Sequence, residues 1–333
     1  MTKKISLNEK FFIAGANGMV GKAIKRKLIR SGYGSIENNG SLLTPSRQEL
    51  NLLDNYEVEN WFKINSPSVV ILAAAKVGGI YANDSFPADF ILENLKIQTN
   101  VIENSWKSNV KRFLFLGSSC IYPKYASQPI SEESLLTGAL EPTNQWYALA
   151  KIAGIKLCES LRKQYKFDAI SIMPTNLYGP GDNYHPKNSH VLPALIRKFS
   201  IAAKESLPSV TCWGSGSPFR EFLHVDDLSD AALFLLENWD PDQPNAPLDS
   251  NGDPLLLLNV GSGHDLSIKE LANKIASQTK YKGKILWDLS KPDGTPKKLL
   301  NISKIKNLGW EPLIKLDDGI REAVKDFNSQ LIK

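Results

Sequence analysis

Tyr147 and Lys151 stand four residues apart in Tyr147-Ala148-Leu149-Ala150-Lys151, the only Y-x-x-x-K of the chain. On a helix that spacing puts both side chains on one face. An ammonium near a phenol favours the phenolate, so the expectation is a tyrosine whose pKa falls from ~10 towards a usable acid/base range. One such pentapeptide arises by chance in a chain of this length, so position carries the weight. Ser118, in Gly117-Ser118-Ser119, follows an apolar run at 112–116 where a strand should end. Its hydroxyl can hydrogen-bond a substrate oxygen beside the tyrosine. Gly15-Ala16-Asn17-Gly18-Met19-Val20-Gly21 reads G-x-x-G-x-x-G between an apolar run and an amphipathic one. Glycines there permit a tight turn and close approach to a pyrophosphate, and the following helix supplies free N–H groups. After the second strand, Leu43-Thr44-Pro45-Ser46-Arg47 carries no acid until Glu49. An acid at that place would repel a 2′-phosphate, whereas Arg47 can pair with one, which favours NADP(H) over NAD(H).

These groups need elements to hold them. Residues 11–14, 68–75, 112–116 and 169–173 are apolar apart from Ser68, Arg112 and Ser171, as strands buried on both faces are. Residues 19–30, 90–106 and 147–164 have helical periodicity between them. Repeated β-α-β of this kind means an α/β fold with a doubly wound parallel sheet, here with a smaller C-terminal α/β part. Past Pro174 the pattern loosens into a Gly/Pro/Asn-rich stretch at 176–189, a helix near 193–204, strands at 210–213 and 255–260, and helices near 268–277 and 317–329. Residues 240–254 have turn chemistry throughout and read as a surface loop.

The composition agrees with a folded domain pair. The chain has 333 residues, 42% hydrophobic and 23% charged, which excludes disorder over most of its length. A net charge of +5 is spread without a basic block, which argues against nucleic acid as the partner. Cys120, Cys158 and Cys212 are too few for a disulfide framework or zinc cluster, no H-e-x-x-H occurs, and so no metal site is expected. No apolar run reaches ~18 residues and no signal peptide precedes the first strand, so a cytoplasmic location off the membrane is expected.

Longer runs narrow the reading. They are Ala73-Ala74-Ala75-Lys76-Val77-Gly78-Gly79-Ile80, Gly117-Ser118-Ser119-Cys120-Ile121-Tyr122-Pro123-Lys124, Glu141-Pro142-Thr143-Asn144, Met173-Pro174-Thr175-Asn176-Leu177-Tyr178-Gly179-Pro180 and Lys291-Pro292-Asp293-Gly294-Thr295-Pro296. With the features above, they resemble the extended short-chain dehydrogenase/reductases and, within them, the GDP-L-fucose synthase family. The resemblance runs from about residue 11 to the C-terminal helix. It implies conversion of GDP-4-keto-6-deoxy-D-mannose to GDP-L-fucose, by C3/C5 epimerisation and then NADPH-dependent reduction at C4. It implies catalysis by Ser118, Cys120, Tyr147, Lys151 and His190, with Cys120 and His190 as base and acid on opposite faces of the sugar. The cofactor is implied to lie on the glycine turn, Arg47, Leu116, Gly117, Ser118, Ser119, Lys151, Pro174, Thr175, Asn176, Leu177 and His190. Lys198, Trp213, Arg220 and Asp293 are implied around the GDP-sugar.

Each residue also has a plainer reading. Cys120 could be a small buried hydrophobe and His190 a cap before the helix at Val191. Cys158 and Cys212 read as core, and His185, His224 and His264 as surface or capping residues. Asn17 stands where some relatives place a basic residue, so 2′-phosphate recognition rests on Arg47. The rival functions are a nucleotide-sugar 4-epimerase or 4,6-dehydratase, and a non-catalytic dinucleotide sensor. Residues 1–174 and about 221–262 are expected to bind the dinucleotide, about 175–220 and 263–333 the GDP-sugar, in a homodimer.

Overall fold

The structure, a computed structural model, describes residues 3–186, 188–291 and 293–331. Pro292, quoted above, lies outside the described residues. The first half runs β1 (Lys10–Ala14), α1 (Met19–Arg30), β2 (Ser41–Leu43), α2 (Asn55–Asn65), β3 (Val69–Leu72), α3 (Ile80–Ser85), α4 (Pro87–Lys107), β4 (Arg112–Leu116), α5 (Gln145–Tyr165) and β5 (Ala169–Pro174). The second runs β6 (Asn176–Tyr178), α6 (Val191–Lys204), β7 (Ser209–Trp213), β8 (Phe219–His224), α7 (Val225–Asn238), β9 (Leu257–Val260), β10 (Asp265–Ser267), α8 (Ile268–Gln278), β11 (Lys284–Asp288), β12 (Lys297–Lys298), α9 (Ser303–Asn307) and α10 (Leu316–Gln330).

Six strands form one parallel sheet in the order β2-β1-β3-β4-β5-β9. Every residue of β3, β4 and β5 is buried. Both faces of these strands are covered, which is why the runs are apolar without alternation. The order reverses between β1 and β3, so a crevice opens there at the carboxyl ends of the strands. The α/β doubly wound reading holds.

A second core gathers Phe199, Cys212, Leu271, Ile275, Ile320 and Phe327 from α6, β7, α8 and α10. Beside it lie a small sheet, β10-β8-β12 with β6 joined to β8, and the parallel pair β7-β11. β7 alternates, with Val210 and Cys212 buried and Trp213 exposed. Two points differ from the division read in the sequence. β8 belongs to the small sheet, and only the α7 and β9 that follow it return to the large one. Leu300, Ile302, Ile305 and Trp310, assigned to the sugar-binding part, pack into the first core instead. Short amphipathic pieces of this kind carry too little periodicity to show which core they join. Among the described residues no helix is long and apolar enough to cross a membrane.

Glu221 ties the parts together. Its fully buried carboxylate accepts from the N–H groups of Gly263 at 2.7 Å and Leu300 at 3.0 Å. Thr175 Oγ1 and Asn176 Nδ2 donate to its backbone oxygen. Glu132 has a harsher position. It is buried in a helical turn at Glu132–Ser134, and Oε1 accepts from Asn259 N of β9 at 2.9 Å. Burial is the larger influence and pushes its pKa up to about 7. A carboxyl raised in the folded state contributes fully below its unfolded pKa near 4.5 and loses that contribution as pH rises through 7. Glu132→Gln keeps an acceptor for Asn259 without the charge. It should stabilise the protein by about 2 kcal/mol at pH 8 and by little at pH 4.5, read from denaturant melts at both.

Candidate active site

The first βα turn is built around absent side chains. Gly15 has φ +88°, and a Cβ on it would lie 2.7 Å from the Ala74 backbone. A Cβ on Gly21 would lie 2.1 Å from Gly15 O. Gly18 caps α1 without a side chain, and no acid stands in its first turn, so no side chain caps these N–H groups. A pyrophosphate fits this cradle on both geometry and charge. Ala16 is buried beneath it, Asn17 and Gly18 are exposed, and Met19 and Val20 are half-buried.

Arg47 is exposed on the turn after β2. The nearest acid in sequence, Glu49, turns its carboxylate back onto Ser46 N at 2.7 Å and leaves the arginine unopposed there. Lys25 of α1, missed by the sequence reading, donates to Thr44 Oγ1 at 3.2 Å. It adds a second cation at the end of β2 where Asn17 supplies none. Its one signal was its place four residues, about a helix turn, past Gly21.

β4 ends at Leu116, and Gly117 lets it pass Met173, whose sulfur would be 2.4 Å from any Cβ. Beyond it, Ser118 Oγ accepts from Cys120 N at 3.3 Å, and it lies close enough to the Tyr147 hydroxyl to pull that group's pKa down. Ser119 is buried. The expected effect of Lys151 on Tyr147 is not what the structure has. Lys151 Nζ donates to Leu116 O at 2.8 Å and lies 5.8 Å from the centre of the Tyr147 ring. Burial brings the lysine down to about 8. Burial, then the charge of the neighbouring Cys120, outweigh the Ser118 hydrogen bond and push Tyr147 above its ordinary 10. Spacing along a helix fixed the shared face but not the depth at which the pair sits. As built, the tyrosine is a proton donor.

Cys120 is half-exposed, whereas Cys158 and Cys212 are buried. Arg220 lies within electrostatic reach of Cys120, Glu141 and Asp293, and burial lowers its pKa against their pull. Glu141 was quoted only as part of a motif. Its buried carboxylate meets Lys124 Nζ at 2.9 Å and accepts from Thr143 and Thr295. Burial alone would raise it, but the Lys124 bond and charge hold it below the usual carboxylate range.

His190 precedes α6, but its side chain makes no capping bond. Its loop is held from the V-G-G turn: Gly79 N donates to Asn188 O at 3.2 Å, and a Cβ on Gly79 would press to 2.6 Å from Ser189 O. Asn83 Nδ2 in turn holds the oxygens of Gly78 and Gly79. His190 keeps exposed surface, yet the protein crowded around the ring disfavours its charged form and lowers its pKa from 6.5. Gly294 links this side to Arg220, since a Cβ on it would touch both Arg220 Nη2 and Ile80 Cδ1. His224 is buried and caps α7.

Trp213 stands exposed, with Lys198 and Lys291 over its ring at 5.7 and 5.9 Å. Lys198 also donates to Thr211 O. Asp293 accepts from Ser215 N and Oγ at 2.7 and 2.8 Å, so part of its capacity is spent within the protein. Pro174 closes β5, Thr175 is buried against Val260 O, Asn176 gives its amide to Glu221 O, and Leu177 is half-buried in β6. These four support the site from below.

The family described as NAD dependent epimerase/dehydratase matches residues 11–247. GDP-L-fucose synthase 1 of Arabidopsis thaliana is 52% identical over 94% of this chain and 91% of its own length. GDP-L-fucose synthase of Escherichia coli (strain K12) is 50% identical over 96% of each. This chain belongs to the GDP-L-fucose synthase family. A GDP-mannoheptose C4 reductase from Campylobacter jejuni, solved with NADP bound, is 37% identical, with TM-score 0.84 over 97% of this chain and 99% of that one. The family's Y-x-x-x-K lysine is thus a buried cation here, and burial disfavours its charge at neutral pH. A lysine depressed from 10.5 to about 8 weakens the fold fully below pH 8, and that penalty fades as pH rises towards 10.5. Lys151→Met should therefore gain about 1–2 kcal/mol at pH 7 after loss of the Leu116 bond, a gain that shrinks by pH 10. Calorimetry at the two pH values checks it, with dinucleotide affinity expected to fall in the same variant.

Proposed function

We propose that this protein converts GDP-4-keto-6-deoxy-D-mannose to GDP-L-fucose, epimerising C3 and C5 and then reducing C4. NADP(H) is the cofactor, and when bound NADPH supplies the hydride to C4. The glycine turn would hold its pyrophosphate, and Arg47 with Lys25 its 2′-phosphate. The observation that carries the reading is that one hydroxyl, Ser118, accepts from Cys120 N and lies beside the Tyr147 phenol, which brings an acid and a thiol to a single carbonyl site.

The C4 ketone acidifies the hydrogens on C3 and C5. Cys120, as thiolate, takes one of them: the C–H bond breaks, an S–H bond forms, and the electron pair moves to O4. Ser118 and Tyr147 hydrogen-bond that oxygen as charge grows on it. His190 returns a proton from the opposite face and inverts the centre, after which solvent carries the proton from sulfur back to imidazole. The same pair serves the second carbon. Tyr147 then gives its phenolic proton to O4 as C4 is reduced, which suits a tyrosine held protonated at neutral pH. Epimerisation precedes reduction, because reduction removes the ketone on which the acidity of C3 and C5 depends.

Arg220, Lys198 and Lys291 supply positive charge for the diphosphate, Trp213 a face for a ring, and Asp293 an acceptor for hydroxyl or N–H groups. Residues 1–174 with 225–262 and 300–310 are assigned to the dinucleotide, and the rest of the second half to the GDP-sugar. Exposed Leu92 on α4 and Trp146 and Leu149 on α5 support a homodimer through those helices. Three unpaired cysteines, one of them in use as a base, support a cytoplasmic setting.

The test follows NADPH absorbance together with solvent-deuterium uptake at C3 and C5. Wild type should oxidise NADPH stoichiometrically and yield GDP-L-fucose. Cys120→Ser and His190→Asn should each lose about 100-fold or more in deuterium uptake. Uptake should trace a bell against pH in the wild type, because it needs the thiolate and the imidazolium together. His190→Asn should remove the limb that His190 sets, whose pKa is lowered from 6.5. Folded protein that binds NADPH and never oxidises it would overturn the reading in favour of a sensor or a recycling epimerase.

A further inference from the structure

Asn144 occupies the N-cap of α5, where an asparagine ordinarily accepts a hydrogen bond from an N–H of the helix's own first turn. Its side chain makes no such bond. Nδ2 instead donates to Cys120 Sγ at 3.4 Å. Its Oδ1 is buried without a partner. Forgoing a cap and leaving a buried acceptor unpaired both cost stability, and here both costs fall on one amide. The cost buys no contact elsewhere in the fold, because among the described residues the only side chain that the amide touches by hydrogen bond is Cys120. Asn144, Tyr147 and Lys151 follow at i, i+3 and i+7, so one face of α5 presents all three.

We infer that Asn144 is a positioning residue for the epimerisation step, an inference that rests on the role proposed above for Cys120. Its Nδ2–H holds and aims the sulfur as thiolate. A thiolate only accepts hydrogen bonds, so it cannot satisfy Oδ1. The amide therefore sets the approach of sulfur to the C–H bond. Arg220 still supplies positive charge near the sulfur when the amide is removed, so the loss is partial. Reduction at C4 uses Tyr147 and is largely independent of the contact.

The decisive variants are Asn144→Asp, which retains the size and a strong capping group but has no N–H to give, and Asn144→Ala. Three readouts apply to the full-length protein. Iodoacetamide alkylation of Cys120, corrected with Cys120→Ser, should slow about tenfold at pH 7 in Asn144→Asp, with its rise displaced to higher pH. Deuterium uptake at C3 and C5 should fall by about tenfold or more. Oxidation of GDP-L-fucose by NADP+, which removes hydride from C4 without touching C3 or C5, should retain most of its rate. Asn144→Ala should slow alkylation less, because it adds no negative charge beside the sulfur. An unchanged alkylation profile in both variants overturns the inference, and so does a fall in GDP-L-fucose oxidation in step with deuterium uptake. If Cys120→Ser itself keeps full uptake, the proposed base is wrong and the role of Asn144 falls with it.

Discussion

A buried ammonium against a backbone carbonyl is the contact on which the rest of this site depends. Lys151 sits under α5 with its charge on Leu116 O, the last residue of β4. The bond is unfavourable as a stability device, since burial disfavours the charge. As a positioning device it is effective. It docks the second turn of α5 onto the end of the central strand, and with that the first turn must lie over the Ser118–Cys120 segment. Gly154 on the same helix has no room for a Cβ beside Phe115 and Gln98, so the helix is also pressed close along its length. Tyr147 reaches Ser118 because these two constraints leave α5 nowhere else to go.

The remaining parts arrive by loops, and each loop is held by a buried polar group. Asn94 of α4 bonds both backbone groups of Lys76, at 2.9 and 3.0 Å, and so fixes the chain leaving β3. Asn83 holds Gly78 and Gly79 before it in sequence, and Gly79 carries the segment before His190. Glu141 gathers Lys124 and Thr143 of its own β4–α5 connection with Thr295 from the loop before β12, and Arg220 lies beside it. Glu221 does the same for Gly263, Leu300, Thr175 and Asn176. Apolar packing cannot fix a loop to this degree, because dispersion contacts are weakly directional. Buried amides and carboxylates can, since an unmade bond costs more than a made one returns.

This division of labour explains what could be read from the residues in advance. The runs at 112–116 and 169–173 are visible because buried parallel strands need continuous apolar side chains, and the helix at 147–164 because one of its faces is repeatedly apolar. The glycine turn is visible because sterics permit nothing else. The small strands β6, β8, β10 and β12 are not, since two to six residues hold too little pattern to tell a strand from a loop. Nothing in the sequence marks Glu221 and Glu132 as buried, for composition says nothing about burial. Helical spacing placed Tyr147 beside Lys151, but the depth of the pair, and hence the sign of the tyrosine's shift, belongs to tertiary structure. Lys25 and Asn144 were missed for a similar reason. Their meaning lies in what they face across the fold.

The sign of that shift bears on how one site can run two reactions in order. A tyrosine titrating near neutrality would spend part of its time as phenolate, and a phenolate beside a growing enolate charge opposes it. Tyr147 is pushed the other way by burial and by the sulfur beside it. In the proposed mechanism it would therefore stay a hydrogen-bond donor to O4 while C3 and C5 exchange their protons, and would still have its proton when C4 is reduced. The sulfur that raises the tyrosine would then take part in the reductive half as well as the epimerising one. An environment that activated Tyr147 as a base would serve oxidation of an alcohol better than reduction of a ketone. A phenol held protonated is the arrangement that the reductive direction requires.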